Sequence, residues 1–191
     1  MNGTQRKRSG QNGAGDEVRE VLDSVRRIVR LLRLSSREAE REVGLTGAQL
    51  FVLQKLAEAK MLSVNELAEI THTHQSSVSV VAQALVDKGL VARSRAADDA
   101  RRLELTLTPA ARGLVRKAPG AAQDRLIEAL GRLPASTRSQ LAKSLARLVE
   151  EAGLGDGEAP MMFEEAAPSS GKATSKSKSK SGGRAAVHAR R

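Results

Sequence analysis

The chain contains no cysteine, which excludes disulfides, thiol redox switches and cysteine-ligated zinc and fits an intracellular protein. Tryptophan and tyrosine are also absent, and Phe51 and Phe163 are the only aromatic side chains besides histidine. No apolar run approaches the roughly 18 residues that a membrane helix needs, so no membrane span is expected. The first fifteen residues hold "QRKRSG" but no apolar core segment, so a secretory signal is not expected either. Glycine-rich phosphate loops and nucleophile elbows are missing, and an enzyme is not expected.

What the chain has is positive charge. The formal net charge of its 191 residues is +10, which favours polyanionic partners such as nucleic acid. The charge is unevenly spread: residues 1–15 carry +3, residues 153–191 carry +3, and Lys88 to Lys117 alone carry +5. The rest of the patterned region is almost neutral. Its excess positive charge is therefore local.

Patterning divides the chain into three parts. Residues 1–15 are Gly, Asn, Gln and Arg without apolar periodicity and read as a disordered basic arm; residues 154–191, with "SKSKSKS", read as a disordered Lys/Ser-rich tail. Between them, Val18, Val21, Leu22, Val25, Ile28, Val29 and Leu32 recur at helical spacing, predicting a long amphipathic helix from Asp16 to about Glu42, before Gly44. Thr46 with Gln49 and Ser63 with Glu66 form capping boxes, and Thr108-Pro109 is a third helix start. These signals predict helices at about 47–59, 64–71 and 75–87, and another from Pro109. From Val91 to Arg95 and Leu103 to Leu107 the period is two, predicting a β-hairpin with one buried and one wet face. Pro119-Gly120 should break the next helix, and a last amphipathic helix should end near Gly153.

Helix, short helix, helix and basic hairpin is the order of a winged helix-turn-helix, whose second helix presents its first residues to base edges in the major groove. Here that helix begins at His74 or Gln75, within "ITHTHQSSVSVV". Val78, Val81, Ala82 and Leu85 should face inward, leaving Gln75, Ser76, Ser79, Val80 and Gln83 outward. Gln pairs bidentately with adenine, and Ser bonds to phosphate or base.

The runs "LTGAQLFVLQKLAE", "SVNELAEITHTHQSSVSVVAQALVDKGLVAR" and "DDARRLELTLTPAARGL" resemble the multiple antibiotic resistance regulator (MarR) family of bacterial transcription factors. The most specific match is Asp99-x-Arg101 followed by Leu107-Thr108, and the resemblance covers roughly residues 18–154. It implies a mainly α fold with a small β-hairpin wing over residues 16–153. Residues 46–108 would be the DNA-binding module, and 16–44 and 109–153 the dimerisation helices. It further implies a homodimeric, cytoplasmic repressor of palindromic operators in double-stranded DNA on the bacterial nucleoid, relieved by a small-molecule effector. Arg101 would enter the minor groove with Asp99 steering it, and Arg93, Arg95 and Arg102 would contact phosphates. His74, Gln75, Ser76, Ser77, Ser79, Val80 and Gln83 would form the reading surface. Relatives commonly carry arginine at the positions of Val80 and Ala84, which shifts the expected weight here to Gln75, the serines and the wing. Relatives also often bind small aromatic anions between the dimerisation helices and the reading module. With Phe51 expected in the core, this chain offers no aromatic-lined pocket.

Other readings stand beside these. His72 and His74 could ligate a metal in a metal-responsive regulator, but residues two apart converge poorly and a closed site needs four ligands. A place in the turn, with His74 capping the reading helix or touching a phosphate, suits them better, and no cofactor is expected. Asp99 and Arg101 could be a plain hairpin-tip ion pair, worth little at a surface. The whole chain could instead be a nucleoid-associated architectural protein that uses both basic arms with little sequence specificity.

Overall fold

The computed structural model describes residues 6–95, 103–155 and 157–163, with side chains from Gly15 onward. Asp99, Arg101 and Arg102, expected at the wing tip, lie outside the described residues, as does the chain beyond Phe163.

Helix α1 runs from Arg6 to Val43, ten residues further upstream than the apolar pattern predicts. That pattern marks where a helix can pack, but an existing helix extends at the cost of fixing one residue per added hydrogen bond. Helix α2 (Gly47–Ala59) starts at the predicted capping box, with the Thr46 hydroxyl accepting from the Gln49 amide at 3.2 Å. Strand β1 (Met61–Ser63) leads into α3 (Val64–Thr71), where the Ser63 amide donates to the Glu66 carboxylate at 2.7 Å. Helix α4 (Gln75–Asp87) is followed by β2 (Val91–Arg95) and β3 (Leu103–Leu107). Thr108 then caps α5 (Pro109–Val115), its hydroxyl accepting from the Ala111 amide at 3.3 Å. Helices α6 (Ala122–Arg132) and α7 (Ala135–Glu151) follow the predicted break at Pro119-Gly120.

Helix α2 is the centre of the core. Leu50, Phe51, Val52, Leu53 and Leu56 are all buried, and α1, α3, α4, α5, α6 and the sheet pack round them. From α4 come Val78, Val81, Ala82 and Leu85, the inward face that spacing predicts. The sheet is antiparallel in the order β1-β3-β2, with Met61 opposite Thr106 and Arg95 opposite Leu103. Strand β1 escapes sequence reading because three residues cannot display a period.

The hairpin departs from one buried and one wet face. Leu105 and Leu107 are buried, but Leu103 is 47% exposed, and β2 is exposed from Ala92 to Arg95. Among the described residues, the outer ends of both strands therefore lie exposed. Glu104, between Ser63 and Ser94 in the register, is buried on the other face of the central strand.

Helix α6 is tied to α2 by polar contacts. Gln54 donates to the Pro119 carbonyl at 2.8 Å and accepts from the Ala121 amide at 3.1 Å. Lys55 Nζ lies 2.7 Å from Asp124, 3.0 Å from Glu58 and 5.8 Å from the Phe51 ring centroid. Burial disfavours the Lys55 charge, but Asp124 and Glu58 outweigh it and hold the ammonium above its ordinary value of 10.5. The stabilisation is then complete below 10.5 and is lost as pH rises through the folded-state value. Unfolding measured from pH 7 to 11 should show an alkaline loss of stability in the wild type that shrinks in Lys55→Met. Identical alkaline profiles would remove the pair from the account.

Candidate nucleic-acid interface

The turn between α3 and α4 depends on its two histidines. His72 ends α3 in the left-handed region, at φ 51°, and the Thr73 amide donates to the Ala68 carbonyl at 3.0 Å. Histidine tolerates that conformation better than most side chains, and β-branched residues tolerate it worst. His72→Val should lower stability in urea unfolding by about 1–2 kcal/mol, with His72→Gly close to wild type. Equal stability of the Val and Gly variants would contradict this role.

His74 occupies the N-cap position of α4, but its side chain makes no capping hydrogen bond, contrary to one of the sequence readings. Its Nδ1 instead lies 3.8 Å from the Glu158 carboxylate. Among the described residues, no group of three His, Asp or Glu side chains is placed to hold a metal ion.

Gln75, Ser76, Ser79, Val80 and Gln83 line the outward face of α4, with Val80 49% exposed. Ser77 does not join them: it is buried, and its hydroxyl donates to the Ala159 carbonyl at 3.1 Å. Position 77 falls four residues before the inward Val81, so the helical period carries it to the core side. Gln83 links the helix to the hairpin. Its carbonyl accepts from Arg93 at 2.7 Å, while its amide donates to Asp87 at 2.7 Å. Arg93 and Arg95 both lie on the exposed part of β2, and Arg93 joins it to the second half of α4.

Two features were not expected from sequence. A cleft of about 900 Å³ lies between the middle of α1, the α3–α4 turn, α6 and α7. Val25, Ile28, Phe51, Leu126, Leu130 and Met161 line it, so its wall is mostly apolar, with His72, His74 and Gln123 among its polar members. The second feature is the segment from Gly157 to Phe163, which falls in the predicted disordered tail yet lies against the start of α4 and buries Met161. Its short apolar run "APMMF" was the available signal, hidden by the low-complexity sequence that follows.

Helix α3, a tight turn, α4 and the β2–β3 hairpin together make a winged helix-turn-helix. The family model described as MarR family matches residues 43–102, which span this module. The HTH-type transcriptional repressor MdtR of Bacillus subtilis (strain 168) is 39% identical over 71 residues, covering 37% of this chain and 46% of that protein. The match thus spans under half of that relative's length. Sco3205, a MarR family transcriptional regulator from Streptomyces coelicolor solved in complex with DNA, superposes with a TM-score of 0.50 at 26% identity. That likeness covers 75% of this chain and 91% of Sco3205. A mutant MarR from E. coli, complexed with operator DNA, shares the fold with a TM-score of 0.50 at 20% identity, over 70% of this chain and 96% of that one. Over its winged helix-turn-helix module the chain is therefore similar to MarR family regulators.

Proposed function

We propose that the chain is a dimeric, sequence-specific DNA-binding transcriptional regulator that represses from palindromic operators and responds to a small-molecule effector. The observation that carries this reading is the outward polar face of α4 beside exposed Arg93 and Arg95, coupled through Gln83. Gln75, Ser76, Ser79 and Gln83 supply donors and acceptors for base edges and phosphates. Val80 offers an apolar surface suited to a thymine methyl group. Arg101 falls in sequence between the exposed ends of β2 and β3, a position suited to insertion into the minor groove, with Asp99 steering and Arg102 on phosphate. Solved relatives bound to DNA add support.

The dimer is supported by apolar faces that none of the described residues covers. Helix α7 has no buried residue, and Leu141, Leu145, Leu148 and Val149 lie exposed along it. Val18, Val21, Leu22, Val25 and Ile28 do the same on α1. Contiguous apolar surface of this kind marks an association site. The cleft beneath these helices is the natural place for an effector, and its mostly apolar wall favours an apolar one. No helix among the described residues is long and apolar enough to cross a membrane, consistent with work on the bacterial chromosome in the cytoplasm.

The experiment is a salt titration of duplex binding. Affinity should fall steeply with salt, and Arg93→Gln and Arg95→Gln should each reduce the logarithmic slope by about one. Salt-independent binding, or slopes unchanged in both variants, would contradict the assigned surface.

A further inference from the structure

We propose that residues 157–163 form an autoinhibitory strap that occupies the start of α4 and must leave for DNA to bind; this rests on the DNA-binding reading above. The argument begins with the helix end itself. Helices α2, α3 and α5 are closed by side-chain caps from Thr46, Ser63 and Thr108. Helix α4, like α6 and α7, has none: His74 provides no side-chain cap, and its first turn contains no acidic residue. The partial positive charge of its free amide groups therefore lacks a local partner.

An acid arrives from 82 residues away. The Ser76 hydroxyl donates to the Glu158 carboxylate, and His74 Nδ1 stands 3.8 Å from the other carboxylate oxygen. One residue on, the Ala159 carbonyl accepts from Ser77 at 3.1 Å. Met161 anchors the segment, 5% exposed in the same core cluster as Val78 and Val81. Gly153 and Gly155, at φ 63° and 80°, take backbone conformations that side chains resist and turn the chain back after α7.

The strap competes with DNA through Glu158, which takes the exposed Ser76 hydroxyl at the end of α4 through which a reading helix meets base edges. Its carboxylate takes an anion position that a DNA phosphate would otherwise fill, and it repels any phosphate nearby. Docking rests on one buried thioether and a few polar contacts against the entropy of ordering a short segment, so it is reversible. The apparent affinity for DNA is then reduced by the fraction of chains with the strap docked.

The test compares full-length wild type, Glu158→Gln and Met161→Gln on one duplex at one salt concentration. Glu128→Gln, on an exposed face of α6, is the control for losing one negative charge. Both strap variants should bind about fivefold tighter or more than wild type, with Glu128→Gln staying near wild type. Met161→Gln leaves net charge untouched, so its gain cannot come from simple electrostatics. Methyl-labelled methionine NMR reads the strap directly: the Met161 signal should move to a solvent-exposed position in Glu158→Gln and, on adding DNA, in wild type. Wild type that binds DNA with Met161 unmoved, or strap variants that bind no tighter, would overturn the strap alone. Absence of DNA binding by all chains would overturn the functional reading and the strap's inhibitory role with it, while the Met161 signal still reports docking.

Discussion

Arg101→Ala should weaken binding to a palindromic operator by at least about tenfold while leaving the dimer intact. The expectation rests on the exposed end of the hairpin. Arg95 and Leu103 pair across the strands and are both exposed, and Arg101 falls between them in sequence. A narrow A·T-rich minor groove concentrates negative potential, and an inserted arginine gains more there than at an open phosphate. Arg101→Lys, which keeps the charge but loses the planar fork, should recover only part of the affinity. Sedimentation of the Ala variant should show the wild-type oligomer. Wild-type affinity in Arg101→Ala would make Asp99 and Arg101 a plain surface pair and remove the wing from the reading surface.

A second large effect is expected from α7. Leu141, Leu145 and Leu148 fall at helical spacing on one face, all exposed within the single chain. An aspartate at the centre of that face, Leu145→Asp, buries a charge wherever a partner helix packs there, which association cannot tolerate. The variant should sediment as a monomer with its secondary structure intact. Affinity for a two-half-site operator should then drop by about a hundredfold or more, since the second module no longer binds in an effectively intramolecular step. Binding to a single half-site should change little. A wild type that is already monomeric, or a variant that stays dimeric, would contradict the assignment.

The parts of the fold that were legible in the sequence are those fixed by local chemistry. Thr46, Ser63 and Thr108 mark helix starts because their hydroxyls satisfy amide groups three residues on. The inward face of α4 follows from period alone, and the strands Val91–Arg95 and Leu103–Leu107 from alternation. What was not legible depends on contacts distant in sequence. Strand β1 exists because β3 lies beside it, with Leu62 opposite Leu105. Leu103 reads as core by alternation but lies past the last helix that could cover it. Ser77 reads as a DNA contact by its neighbourhood, yet a carbonyl 82 residues away takes its hydroxyl. In the same way, "ITHTHQ" offered His74 as a cap for α4, which its side chain does not provide, and gave no sign of the acid that stands there.

The central claim, a regulator that reads sequence, is tested most directly by selecting binding sites from a random duplex library with the full-length chain. The account predicts enrichment of one inverted repeat, with half-site centres about one helical turn, roughly 34 Å, apart. It also predicts A·T-rich flanks where the wings would reach the minor groove. Binding without enrichment of any repeat, at an affinity set by salt alone, would contradict it and favour an architectural protein that coats DNA.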